Sequence, residues 1–206
     1  MRLWTIQGIE AYKLLKKEGI LHTNDEYSCC KDSYSFSYAY DWMASELSKK
    51  DPKPDGVRHP IWAWYQWRGK RKKRDMRESY LSARGNLIVQ LEIEIPDEKV
   101  LLSDFCLFHC VLNNTYVSSS KKEQEEFEKW YESLGIEYDE RKHDASQEEK
   151  LQTVERAIEE SWAGVFDLTK EDDGWLYGKN EDKCIQAVFW ELREDQIIWA
   201  REFIAK

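Results

Sequence analysis

The 206-residue chain lacks the commonest signatures of nucleotide-handling and hydrolytic enzymes. It has no phosphate-binding P-loop, no glycine fingerprint for a dinucleotide, no nucleophile elbow and no zinc-protease helix. It has no apolar run approaching the roughly 20 residues that span a bilayer, and Met1-Arg2-Leu3-Trp4-Thr5 opens directly on strand-like residues rather than on an apolar leader. No paired Cys-x-x-Cys occurs, and the five cysteines are an odd number, which fits reduced thiols and a cytoplasmic, non-membrane protein better than a disulfide framework. A net charge of −9 argues against a general nucleic-acid coat protein.

What the chain does have is aromatic bulk: ten tryptophans, eleven tyrosines and seven phenylalanines, enough to build a core without staples. They concentrate in His59-Pro60-Ile61-Trp62-Ala63-Trp64-Tyr65-Gln66-Trp67. Read as a strand, this stretch puts Ile61, Ala63, Tyr65 and Trp67 on one face and Trp62, Trp64 and Gln66 on the other, so that one face meets the core and the other a second layer or a ligand. Directly after it, residues 68–77 carry seven Lys or Arg. A basic run on an acidic body can guide a polyanion to one place. Arg71, Lys72 and Lys73 would contact phosphate, with Trp62, Trp64, Tyr65 and Trp67 as stacking surfaces for a nucleotide or nucleic acid. The plainer reading is a solvated loop balancing nearby acidic groups.

Periodicity predicts a single α+β domain over residues 1–206, with a mixed or antiparallel sheet surrounded by about four or five helices. A first strand at Leu3–Ile6 is followed by a helix over Ile9–Glu18 that Gly19 terminates. A second helix runs to about Lys49 and stops at Asp51-Pro52. Leu87 to Ile95 alternates so regularly that it reads as a half-buried strand, with Gln90, Glu92 and Glu94 turned away from the core. Val100–Leu102 is a short strand, and Ser103–Val117 contains a helix. Ser120 with Glu123, and Ser146 with Glu149, are capping-box patterns for two further helices. Cys184–Leu192 reads as one strand, and a helical turn at Glu194-Asp195-Gln196 leads to a last strand over Ile198–Ile204.

Two acid–base candidates stand out. If Ile185, Ala187, Phe189 and Glu191 share a face, Glu191 is a carboxylate at the end of an apolar strand face, suited to act as a base or to stabilise an oxocarbenium-like centre. His59, at the mouth of the aromatic strand, can titrate near neutral pH. Against each stands the ordinary alternative of an exposed strand carboxylate and a loop histidine. Cys106, His109 and Cys110 fall on one helical face, and with Cys29, Cys30 or His22 they would make a zinc site; small buried hydrophobes are the simpler reading, and no metal site is expected.

Leu3-Trp4-Thr5-Ile6-Gln7, Ile61 to Trp67, Val100 to Phe105, Val111-Leu112-Asn113-Asn114 and Gln186 to Leu192 together resemble the bacterial family called domain of unknown function 3841. That resemblance spans nearly the whole chain and implies a fold without a chemistry. A weaker resemblance is to small ADP-ribosyltransferase-like proteins, which also open with a short strand, a helix and a glycine and carry a catalytic glutamate on a late strand. It implies an enzyme that uses NAD on a nucleic-acid or protein substrate, with Glu191 as the catalytic carboxylate and Trp64 or Tyr65 stacking on nicotinamide. Where such proteins have a histidine or arginine in the first strand, this chain has Thr5 or Gln7. Three readings stand open: a transferase centred on Glu191, a non-catalytic nucleotide or nucleic-acid binder centred on the aromatic strand and basic run, and an interaction module whose aromatic strand is simply core.

Overall fold

In the computed structural model the described residues are 1–23, 36–78, 81–136, 144–172 and 175–206. The chain divides into two compact units, Met1–Ser103 with Asn180–Lys206, and Asp104–Lys179. The fold is α+β, with five α-helices and eight strands among the described residues. The first unit holds β1 (Arg2–Gly8), α1 (Ile9–Glu18), β2 (Ile20–His22), α2 (Ser37–Lys50), β3 (Ile61–Gln66), β4 (Leu87–Glu94), β5 (Leu101–Asp104, ending at the boundary), β6 (Ile185–Phe189), β7 (Glu191–Arg193) and β8 (Ile197–Ile204). A six-stranded sheet runs in the order β5-β6-β3-β1-β4-β8, and β2 and β7 form a separate pair. The pairings from β6 through to β8 are antiparallel.

Period-2 alternation explains the sheet's first face. Leu3, Ile61, Ala63, Val89, Leu91, Ile93, Ala187 and Phe189 all point to one side and meet Ala11 and Leu15 of α1. Helix α1 ends as its sequence demands: Gly19 takes φ +75° and returns its N–H to the Leu15 carbonyl at 2.9 Å. The opposite face carries a transverse row. Gln186, Trp64, Trp4, Glu92 and Trp199 are register partners from one strand to the next across β6-β3-β1-β4-β8.

Three expectations need correcting. Strand β4 is buried on both faces for much of its length: Ile88 and Gln90 are 4% and 2% exposed, whereas Leu87 is 40% exposed. The covering comes from the segment after β3, and Gln90 Nε2 donates to the Arg74 carbonyl at 2.9 Å. Cys184–Leu192 is two strands, because the chain leaves the large sheet at the buried Trp190 and pairs with β2 instead. The helix after residue 144 is capped by Asp144, which accepts from the Ser146 and Gln147 amides at 2.9 and 3.0 Å, so Ser146 lies inside it.

The second unit is helical: α3 (Phe105–Leu112), α4 (Lys121–Ser133) and α5 (Ala145–Ser161), with a 3₁₀ turn at Trp162–Phe166. Asp104 caps α3 through the Cys106 and Leu107 amides. Ser120 caps α4 as the sequence predicts, while Glu123 reaches back to the Ser119 amide at 2.7 Å and accepts the Tyr116 hydroxyl at 2.7 Å. Tyr116 stacks on Phe127, with ring centroids 4.1 Å apart. Trp162 donates to the Thr115 carbonyl at 3.0 Å, tying the 3₁₀ turn to the loop after α3.

Burial, reinforced by the bond to Glu123, pushes the Tyr116 phenol up to about 12. Burial with the nearby Asp167, Glu123 and Asp172 charges does the same for Tyr177, also to about 12. Both folded values lie above the ordinary ~10. Their contribution to stability is therefore whole below pH ~10 and is lost as pH rises through about 12. Titration by ultraviolet phenolate absorbance should show two tyrosines ionising late, with unfolding following. Tyr116→Phe and Tyr177→Phe should each remove one late-ionising phenol.

Candidate functional site

The break at Trp190 decides where Glu191 goes. Instead of ending the face of Ile185, Ala187 and Phe189, it opens β7 and lies opposite His22 of β2. Its side chain is 23% exposed. Around the carboxylate stand His22 Nε2 at 3.7 Å, Lys99 Nζ at 3.8 Å and Arg193 Nη1 at 3.5 Å. Trp190 is 1% exposed, and its indole donates to the Asp51 carbonyl at 2.8 Å, which fastens the end of α2 beside β7. Lys50 Nζ reaches the Asp97 and Val100 carbonyls at 3.0 and 2.5 Å, bringing the turn that carries Lys99 to the same end of α2. The Asp51 carboxyl is pushed up by burial and by the Glu191 and Glu98 charges, with Lys99 opposing.

His59 sits two residues before β3, whose first pair is Ile61 with Phe189. It is 8% exposed. Its Nε2 lies 3.0 Å from Asp41 Oδ1, and the same carboxylate accepts from Arg58 Nε and Nη2 at 3.3 and 3.1 Å. Burial works against charge on Asp41, yet the bonds from Arg58 and His59 prevail and hold its carboxyl below the usual range. Tyr40 leans on both the His59 and Trp62 rings, at 6.0 and 5.5 Å between centroids. Thr23, the residue after β2, donates its hydroxyl to the His59 carbonyl. Two consecutive residues, His22 and Thr23, therefore touch Glu191 and His59 respectively.

The basic run lies across the second face of the sheet. Gly69, its second residue, has φ +69° and its N–H on the Lys183 carbonyl at 2.9 Å; a side chain there would meet the Glu181 carbonyl at 1.8 Å. Arg71 stacks on Tyr65 at 3.5 Å and faces Trp4 at 5.4 Å, while donating to the Tyr65 and Arg2 carbonyls. Lys73 sits over Trp199 at 3.6 Å and lies 3.9 Å from Glu92. Arg74 is 6% exposed, 3.4 Å over Trp67 and 5.2 Å from Trp64, and paired with Glu78. Met76 packs with Ile88 and Ile6. Arg71, Lys72 and Lys73 keep exposed surface, but Arg71 and Lys73 already stack on the aromatic groups that the sequence offers to a ligand.

The sequence reading singled out Glu191 and His59 but missed Asp41, Asp51 and Lys99, and it considered His22 only as a zinc ligand. No local pattern marks any of the four, since they come from three separate elements, α2 with its end, the turn at 97–99 and β2. Cys29 and Cys30 lie outside the described residues. His109 Nδ1 is 2.9 Å from the Phe105 carbonyl, and no group of three or more His, Cys, Asp or Glu among the described residues can hold a metal ion. An open cleft of about 360 Å³ at the start of α1, lined by Gln7, Gly8, Glu10, Ser82 and Asn86, contains none of the candidate residues.

An α+β chain with a six-stranded sheet and a charged, histidine-containing cluster at one sheet end is the class these observations define. The chain belongs to the family described as domain of unknown function (DUF3841), whose model matches residues 2–198. No curated protein and no solved structure matches it. Among the described residues, no helix is long and apolar enough to cross a membrane.

Arg74 offers a direct check on the covering segment. Arg74→Ala leaves Glu78 half-buried without its guanidinium and uncovers Trp67. It should cost about 3 kcal/mol in urea unfolding. Lys72→Ala, at an exposed position, should change stability by less than ~0.5 kcal/mol.

Proposed function

We propose that the protein is an ADP-ribosyltransferase-like enzyme that breaks the nicotinamide–ribose bond of NAD, with Glu191 as its catalytic carboxylate. The observation that supports this reading is that the consecutive residues His22 and Thr23 contact the Glu191 carboxylate and the His59 backbone carbonyl respectively. Two candidates 132 positions apart in sequence are thereby joined by one short strand.

The chemistry asks for a negative group beside a carbon that becomes positive. The bond between ribose C1′ and the nicotinamide nitrogen breaks, and its electron pair leaves with nicotinamide. The developing oxocarbenium charge is stabilised by the Glu191 carboxylate. An acceptor nucleophile on protein, nucleic acid or water then forms a bond to C1′ and gives up its proton. The ionised Asp41 favours a proton on His59 Nε2, which leaves Nδ1 as the basic nitrogen to receive it. Lys99 Nζ and Arg193 Nη1 stand 3.8 and 3.5 Å from the same carboxylate.

The test is nicotinamide release from NAD by the purified chain, read beside a thermal shift. Glu191→Gln should lower release by ~100-fold or more while keeping the NAD-induced rise in Tm. Absence of nicotinamide release from the wild-type chain, with and without protein or nucleic-acid acceptors, rules the reading out. If oligonucleotides raise Tm instead, in a salt-sensitive way that depends on Arg71, Lys72 and Lys73, the nucleic-acid binding reading replaces it.

A further inference from the structure

The sheet order ends at β8, so among the described residues no strand pairs with its outer edge. Most sheet edges are blunted by charge, proline or brevity. This one is eight residues long, and its proline-free sequence is Ile197-Ile198-Trp199-Ala200-Arg201-Glu202-Phe203-Ile204. Its two charges are adjacent and central. Leu87, Ile198 and Ile204 are 40%, 46% and 70% exposed, and they make up half of the exposed large apolar side chains among the described residues. Leu87 and Ile204 are register partners, so their exposed surface is continuous.

We infer that β8 is an interface for a second copy of this chain, the two β8 strands pairing antiparallel about a two-fold axis at Arg201. The sequence pattern identifies the occupant. Around Arg201, aromatic residues stand at −2 and +2 (Trp199, Phe203) and isoleucines at −3 and +3 (Ile198, Ile204). A strand that meets itself reversed places −2 against +2 and −3 against +3, so this near-palindrome puts Trp199 against Phe203 of the copy and Ile204 beside its Ile198.

The backbone phase agrees. Ala205 turns its N–H and carbonyl inward, to the Asn86 carbonyl and the Gly85 amide at 2.8 and 2.9 Å. Alternation then turns the polar groups of Ala200, Glu202 and Ile204 outward, ready to bond to the copy. The register shift opposite Glu92 and Ile93 makes Ile198 the extra residue of a bulge. That bulge limits the regular pairing to the residues after Ile198 and leaves the Ile198 side chain at its border, beside Ile204 of the copy; the two-fold axis closes the pair. One strand edge buries area at the low end of the ~1,200 Å² of standard interfaces, so the dimer dissociates on dilution through the micromolar range.

Ala200 faces Glu202 of the copy, and the one like-charge contact, two Arg201 side chains facing each other across the axis, supplies a register-specific test by sedimentation equilibrium. The wild-type chain should form a dimer as concentration rises. Ile204→Lys and Ile198→Lys, both at exposed positions, should abolish it while circular dichroism and Tm stay near wild type. Arg201→Gln should tighten it about 2–5-fold by removing like charges. A monomer at every concentration for both wild type and Arg201→Gln overturns the inference. So does a dimer indifferent to the two isoleucine variants, or one that Arg201→Gln weakens.

Discussion

A sheet with large apolar groups on both faces must be covered twice, and everything else in the first unit follows from how this chain does it. Helix α1 covers one face in the ordinary way, with Ala11 and Leu15 set into a floor of leucine, valine and isoleucine. The other face presents a row containing three indoles, and its cover is a segment rich in Arg and Lys. Cations suit this task because an indole face attracts them electrostatically while the methylene stem still excludes water. Each contact contributes ~0.5–2 kcal/mol, more where water is excluded, as at Arg74. Met76 and the bond from Gln90 to the Arg74 carbonyl fix the segment's register. A leucine-rich segment would cover the indoles equally well but would present a second apolar surface to water.

Much of the scaffold is legible in the sequence because the signals are local. The α1 boundary is set by Gly19, the first cap of α4 by Ser120, the turn before β8 by Glu194-Asp195-Gln196, and the core face of β4 by strict alternation. The misreadings share a cause. Alternation at Gln90 and Glu92 reports which side chains differ from Val89 and Leu91, not whether another segment lies above them. Gln90 looks like a solvent-facing residue until Arg74, sixteen positions upstream, lies over it. A run of Lys and Arg looks like a polyanion site for the same reason: the rings that neutralise its reach are partners in space, and the two on β1 and β8 lie far away in sequence. The cap at Asp144 is masked in the sequence because Ser146 with Glu149 satisfies the same pattern two residues later.

The candidate site is legible only by residue type. Glu191 and His59 are the groups chemistry would choose, but what surrounds them is set by a change of sheet at Trp190. That tryptophan fits neither as a β6 residue nor as a surface residue. It is buried on the Asp51 carbonyl at the end of α2, and burying it requires the chain to turn off the large sheet. The turn delivers Glu191 to His22. A reading that keeps Cys184–Leu192 as one strand places the carboxylate at the right position in sequence and against the wrong neighbours.

Strand β3 connects the two systems. At its start, His59 and Trp62 meet Asp41 and Tyr40. At its end, Trp64, Tyr65 and Trp67 lie under the basic segment. Because residues 62 and 64 project to the same face, the end held by cation–aromatic contacts and the end facing the acid–base cluster share one row of side chains. At the covered end Arg71 and Arg74 lie 3.5 and 3.4 Å over Tyr65 and Trp67, while at the other end Tyr40 touches His59 and Trp62 tilted or edgewise, at 6.0 and 5.5 Å between centroids. The paired backbones of β1 and β6 hold both ends of this six-residue strand in one register. The segment that covers Trp64 and Trp67 and the Asp41 and Tyr40 contacts to His59 and Trp62 are thus fastened to the same strand, which is why the aromatic content of β3 bears on where His59 lies.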